Sequence, residues 1–204
     1  MAKAKFDRTE VVHAATQLFW QRGYQAASMQ DVFQVTGLQP GSLYNAFGSK
    51  AGLFEETVRH YSKISFERVS EELTSAPSID VGICSVLLRM IRESTESEFC
   101  SCFLVKSQLE LKSSGDEALA SVVAEQLKKL ETIFSEALQT GQSEEAVNAK
   151  TTSLLLNMFG LRVYGYLGYG YDHLLQGVRE SLSWLPWDEA LTLPVNAYPA
   201  QSIQ

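Results

Sequence analysis

The stretch SMQDVFQVTGLQPGSLYNAFGSK, residues 28–50, decides the fold. Ser28 with Asp31 three positions on is the spacing of a helix N-cap and its reciprocal partner. Val32 and Phe33 then face inward on a short helix that Gly37 ends, since glycine takes the left-handed conformation a sharp reversal needs. Pro40 stands in the first turn of a second short helix, where a missing backbone N–H costs nothing. Leu43 and Phe47, four apart, share its buried face, Gly48 closes it, and Ser49 caps the helix that follows. On the N-terminal side Asp7 and Glu10 repeat the capping pattern, and Val11, Ala15, Leu18 and Phe19 line one face of a helix that stops at Gly23. Two short helices joined by a glycine turn, with an apolar helix behind them, make a helix-turn-helix.

On the second short helix, the side opposite Leu43 and Phe47 carries Gly41, Ser42 and Asn45, with Tyr44 at its flank. A face of this kind can lie in the major groove of DNA. Gly41 allows close approach, Ser42 and Asn45 reach base edges, and the Tyr44 hydroxyl can bond a phosphate. Lys50, in the first turn of the next helix, can bind a phosphate together with free N–H groups. The same geometry also fits an ordinary helical hairpin in an all-α core. The chain's average charge points away from nucleic acid: 17 Lys and Arg stand against 24 Asp and Glu, a net charge of -7. That average hides a division, because residues 1–63 carry +2 and the remainder -9. Lys3, Lys5 and Arg8 are expected to assist Lys50 from an N-terminal arm, so the composition excludes a nonspecific coat of DNA but not a selective contact.

Beyond Pro77 the apolar spacing stays helical, with helices expected at 79–97, 101–113, 116–140, 143–167 and 171–185. The fold class is therefore all-α: an N-terminal three-helix helix-turn-helix domain followed by a C-terminal helical bundle. Domain boundaries are expected at 1–50 for the helix-turn-helix and its arm, 51–185 for an effector-binding and dimerisation domain, and 186–204 for a tail that its prolines bar from continuing as helix, either loose or laid as an extended strip on the body. Ile83, Val86, Leu87, Leu88, Met90 and Ile91 surround more than one face of the 79–97 helix, which suits a central position. Leu154–Tyr171 is interrupted by Asn157, Arg162 and four glycines and does not read as a membrane span. Its Gly160, Gly165 and Gly168 would admit a second copy of the chain, with Leu155, Phe159, Tyr164 and Tyr169 filling space. Cys84, Cys100 and Cys102 lack zinc or thioredoxin-like spacing. His13, His60 and His173 lie far apart and offer no metal set. No cofactor motif, nucleophile elbow or phosphate loop occurs, so an enzyme is not expected, and a cytoplasmic location is.

Val11 to Tyr61 resembles the DNA-binding domain of the TetR family of transcriptional regulators, through Leu18-Phe19, Gly23-Tyr24, Ala27-Ser28, Thr36-Gly37-Leu38, Gly41-Ser42-Leu43-Tyr44, Phe47 and Ser49-Lys50. The resemblance implies a homodimer joined through helices near 143–185, a palindromic double-stranded DNA operator, and most often repression relieved by a small effector. It also implies DNA contacts from Ser28, Gln39, Gly41, Ser42, Tyr44, Asn45 and Lys50. The effector pocket it implies lies among the helices at 79–97, 101–113, 116–140 and 143–167. Met90, Phe103, Phe134 and Met158 are wall candidates there, though core packing is the stronger reading of each. Residues 100–111 are similar to a stretch in a TetR subgroup, some of whose members answer to oxidants or electrophiles, and Cys102 holds the matching place. A helix N-terminus near Cys102 would lower its thiol pKa, while Glu96 and Glu98 would raise it; Cys84 reads as packing. The alternatives are an all-α enzyme or ligand carrier without DNA binding, and a regulator that activates or that works by thiol oxidation.

Overall fold

The computed structural model describes residues 6–96, 102–139 and 141–192. Lys3, Lys5, Glu98, Cys100 and the end of the tail, 193–204, lie outside the described residues, as does the side chain of Glu96. The helices are α1 (Arg8–Arg22), α2 (Met29–Thr36), α3 (Pro40–Phe47), α4 (Lys50–Ser75), α5 (Ile79–Glu96), α6 (Phe103–Ser114), α7 (Glu117–Leu138), α8 (Glu144–Tyr164), α9 (Tyr171–Ser181) and α10 (Trp187–Thr192). No strand occurs among the described residues. The expected caps form. The Asp7 carboxylate accepts from the N–H groups of Thr9 and Glu10 at 2.8 and 3.3 Å. Ser28 and Asp31 make a full capping box, and Gly37 takes the left-handed conformation with φ 67°.

The described residues divide into two compact units, 6–64 with 103–127 and 65–96 with 102 and 128–192, which differs from the expected break near residue 50. In the first unit, a chain of aromatic rings supplies the reason that α6 belongs with the helix-turn-helix. Phe19 meets Phe54 at 5.4 Å, Phe54 meets Phe103 at 5.9 Å, Phe103 meets Tyr61 at 5.5 Å, and Tyr61 meets Trp20 at 5.3 Å, all edge-on. Edge-to-face pairs add about 0.5–1.5 kcal/mol each beyond burial. His13 and His60, far apart in sequence, are neighbours in space: their rings stand edge-on at 6.1 Å between α1 and α4. Among the described residues no group of three or more His, Cys, Asp or Glu could hold a metal ion.

In the second unit α5 is central, with Val81, Ile83, Cys84, Val86, Leu87, Leu88, Met90 and Ile91 all buried. Glu72, buried on α4, takes a two-pronged bond from Arg89 at 2.6 and 3.2 Å. Arg89 and Arg68 also donate to Glu93, at 3.0 and 3.1 Å, and Arg162 from α8 joins them. Burial works against the Glu93 carboxylate, but Arg162 and Arg89 overcome it and hold its pKa at about 2. Gly165 serves this packing within the subunit, since a Cβ there would lie 2.9 Å from that of Ser94. Gly168 takes positive φ in the turn before α9. Of the three glycines expected to admit a second copy, Gly160 and Gly168 lie on open surface and only Gly165 has its space filled from within the subunit.

The expected tail begins with a helix instead. Pro186 accepts the N–H of Ala190 at 3.1 Å, so the proline sits ahead of the first turn, where its missing N–H is harmless. Trp187 is buried and donates its indole N–H to the Leu182 carbonyl at 2.9 Å. A proline excludes continuation of a helix but not the start of one, and burial of Trp187 and Ala190 holds α10. No helix among the described residues is long and apolar enough to cross a membrane.

Glu93→Gln leaves buried guanidinium groups short of a carboxylate and should cost about 3 kcal/mol in urea unfolding. Glu117→Gln, which breaks only the exposed pair with Lys112, should cost less than about 1 kcal/mol. The His60 imidazole is held below its usual value by burial and then by His13 and Lys63. Its neutral form is the one the fold favours, so the stability it brings is present above about pH 6.5 and is lost as pH falls below that. A His60→Gln variant should therefore lose less Tm than the parent between pH 7 and pH 5.

Candidate nucleic-acid interface

The caps and the buried pair Leu43 and Phe47 fix which side of α3 is outward. Gln39, Gly41, Tyr44 and Asn45 are exposed and Ser42 is half-buried, so the structure brings these five together on α3 and at its N-cap. The Tyr44 ring stands edge-on to Phe33 at 6.4 Å and is still 46% exposed, which leaves its hydroxyl end facing outward. A Cβ built on Gly41 would meet nothing within 4 Å. The glycine is therefore not demanded by packing inside the protein, and its smoothness faces outward.

The other two expected contacts are committed elsewhere. The Ser28 hydroxyl accepts from the Asp31 N–H at 3.1 Å and donates to the Asp31 carboxylate at 2.7 Å. That carboxylate also accepts from the Ser28 N–H and, at 2.6 Å, from Arg22. Bonds from Ser28, with Arg22 adding to them, hold the Asp31 carboxyl below its usual range. Lys50 is half-buried, with its ammonium 4.4 Å from the centre of the Tyr24 ring. Burial pushes its pKa below the usual lysine range, against the attraction of Glu110 and Asp31.

Arg8 was expected in a phosphate-seeking arm, and the structure corrects this. It opens α1 and lies against the far end of α3, donating to the Ala46 carbonyl at 3.2 Å and to the Glu56 carboxylate from Nε at 3.0 Å. Its guanidinium sits 4.4 Å from the centre of the Phe47 ring. The arginine thus occupies a carbonyl that the end of α3 leaves without an intrahelical partner. Arg22 pairs with Asp31 and Arg59 with Glu55. The positive charge of this region is largely spent on holding its own helices.

Sequence spacing also missed Lys106 and Glu110 of α6, which bond to the turn between α1 and α2. They stand about 85 positions from their partners, and no local pattern announces them. Of the expected effector-pocket residues, Met90, Phe134 and Met158 lie in the buried core of the second unit. Phe103 belongs to the aromatic core of the first. Cys102 is half-buried directly before α6. Cys84 is buried, and burial, with Asp80 and Glu189 adding to it, pushes its thiol up to about 12, which leaves it inert as a nucleophile.

Residues 11–57 match the family described as bacterial regulatory proteins, tetR family. The chain is 27% identical over 151 residues to the uncharacterised HTH-type transcriptional regulator YezE of Bacillus subtilis, covering 74% of this chain and 77% of that one. It is 25% identical to the HTH-type transcriptional repressor ComR of Escherichia coli, over 89% of this chain and 90% of that one. Among solved structures it is similar to a cysteine mutant of the TetR family transcriptional regulator CifR, complexed with 26-bp double-strand operator DNA. That similarity has a TM-score of 0.74 and 27% identity, over 89% of this chain and 98% of the other. Through residues 11–57 the chain carries the helix-turn-helix domain of the TetR family of transcriptional regulators.

Arg8 is placed to hold the end of α3. Arg8→Met should weaken DNA binding about ten-fold, the loss of roughly one charge-assisted hydrogen bond. The slope of log K against log salt should stay unchanged, whereas loss of a phosphate contact would reduce it by about 1. Fluorescence anisotropy across a salt series checks both.

Proposed function

We propose that the chain is a homodimeric, cytoplasmic repressor that binds a palindromic operator with two copies of α3 and leaves it when a small effector binds. The observation that carries this reading is the outward face of α3, with Gln39, Gly41, Ser42, Tyr44 and Asn45 on a helix capped and braced at both ends. Small and hydrogen-bonding groups on a rigid helix suit the major groove, where each good base contact is worth about 1–3 kcal/mol of discrimination. Ser28 and Lys50 join as contacts only by loosening the bonds they now make. CifR, similar over most of its length, was solved on operator DNA, and ComR is named a repressor.

The dimer is supported by α8. Leu156, Gly160 and Val163 lie at the spacing of one helical stripe, and Leu156 and Val163 are 67% and 57% exposed. Tyr164, Tyr166 and Leu167 continue this apolar surface. A contiguous apolar patch of this kind marks an interaction surface, and a two-fold pairing would cover the same stripe on both subunits. Two heads also double the few cations available for phosphate. The effector is proposed only by class: an apolar molecule for which the packed side chains of Met90, Phe134 and Met158 would have to make room, with Cys102 as the thiol alternative. Whatever the signal, it must bind the operator-competent and the released form with different affinity, because equal affinity for both shifts nothing.

A gel-shift series on the DNA beside the chain's own gene, at fixed salt, tests the regulator against an all-α enzyme or carrier. The parent should prefer one palindrome over random DNA, and Tyr44→Ala and Asn45→Ala should weaken that preference about ten-fold or more; equal binding to every sequence would sink the proposal. Reporter output should rise when the gene is deleted, and a fall would identify an activator. Leu156→Glu with Val163→Glu should give a monomer by light scattering, with weaker operator binding.

A further inference from the structure

The turn between α1 and α2 is gripped by a helix from elsewhere in the chain. The Lys106 ammonium donates to the carbonyls of Trp20 and Gln21 at 2.7 and 2.9 Å. One helical turn further on, the Glu110 carboxylate accepts from the N–H of Tyr24 at 3.0 Å and from that of Gln25 at 2.7 Å. Gln25 also donates from its side-chain amide to the Ser114 hydroxyl at 3.3 Å. The charges are matched to the backbone they meet. The last carbonyls of α1 are electron-rich and lack intrahelical partners, and a cation covers them. The amides just past the helix end are donors without acceptors, and an anion covers them.

The fit leaves little slack. A Cβ on Gly23 would lie 2.8 Å from both Glu110 carboxylate oxygens, and Gly23 already has φ 85°. Tyr24 is in turn held between the Phe54 ring, at 4.8 Å, and the Lys50 ammonium. The turn sets where α2 starts, and α2 with Gly37 sets where α3 lies.

We propose that Lys106 and Glu110 form a clamp through which α6 positions the helix-turn-helix, so that a displacement of α6 withdraws both grips at once and releases the α1–α2 turn. The clamp acts within a single head and does not require the two heads to change their separation. Its functional consequence rests on the operator-binding reading above. Lys106 and Glu110 are positioning residues, since neither lies on the outward face of α3.

Glu110→Gln separates this role from simple electrostatics. Removing a negative charge from a DNA-binding head would by itself strengthen attraction to phosphate. Loss of the clamp predicts the opposite, because the amide retains one acceptor and turns an NH2 donor toward a backbone donor. The experiment uses the full-length chain and the duplex that the parent selects from a random-sequence library. The clamp predicts operator affinity about ten-fold lower with an unchanged salt slope, and faster amide exchange confined to the peptide spanning residues 21–28. Lys106→Met should behave alike and Lys106→Arg should restore binding, while Lys112→Met, which removes an α6 charge that touches only Glu117, should leave both readouts at parental values. Parental or tighter DNA binding by Glu110→Gln, or unchanged exchange at 21–28, overturns the clamp. If the parent selects no duplex, the operator reading fails, and the exchange measurement still decides whether the grip exists.

Discussion

An eight-residue helix is not stable alone in water, because nucleation fixes several residues before hydrogen bonds accumulate. Both α2 and α3 are that short, and α3 presents the outward face proposed to meet the operator. Everything around them supplies what their length cannot. Ser28 and Asp31 close the start of α2, Gly37 its end, and Pro40 pre-sets the first turn of α3. Leu43 and Phe47 are buried beneath, and Arg8 occupies a carbonyl at the far end. The small, open character of Gly41 and the protruding Tyr44 are possible because the restraint comes from beneath and from the ends.

The same economy governs charge. By count of charges the mildly basic N-terminal region suits phosphate, but its arginines are bound to carboxylates, carbonyls or aromatic rings. They fix the geometry of a face made mostly of neutral groups. In the second unit the pattern recurs with deeper burial, where Arg68, Arg89 and Arg162 gather around Glu72 and Glu93. There the guanidinium groups join α4, α5 and α8 by bonds that tolerate no missing partner.

Local chemistry was legible in the sequence, and distant chemistry was not. Asp7, Ser28, Gly37, Pro40 and Ser49 act on backbone groups a few residues away, so their spacing announces the helices directly. The outward residues of α3 were legible for a related reason, since Leu43 and Phe47 define its inner side. Arg8, Lys106 and Glu110 act across 38 to 86 positions, and a lone charge in a helix carries no mark of its partner. The prolines after Leu185 misled because a residue that ends one helix can also begin the next. Gly165 misled in another way: its missing side chain makes room for Ser94 of the same subunit, and sequence alone does not say which neighbour uses the space. His13 and His60 meet because α1 packs on α4, a fact of tertiary structure with no sequence spacing to signal it.

The residues that face outward on α3 are not the ones that hold it. A side chain added at position 41 would meet nothing in the protein, and Gln39 and Asn45 are exposed, whereas the support comes from Leu43, Phe47, Arg8 and the caps. Mutation can therefore rewrite the outward set with little effect on folding, and the inward set is barred from change by stability alone. If the proposed face reads the operator, divergence in what a lineage of such chains recognises would be fast at positions 39, 41 and 45 and slow at 43 and 47, a separation of evolutionary rates built into one short helix.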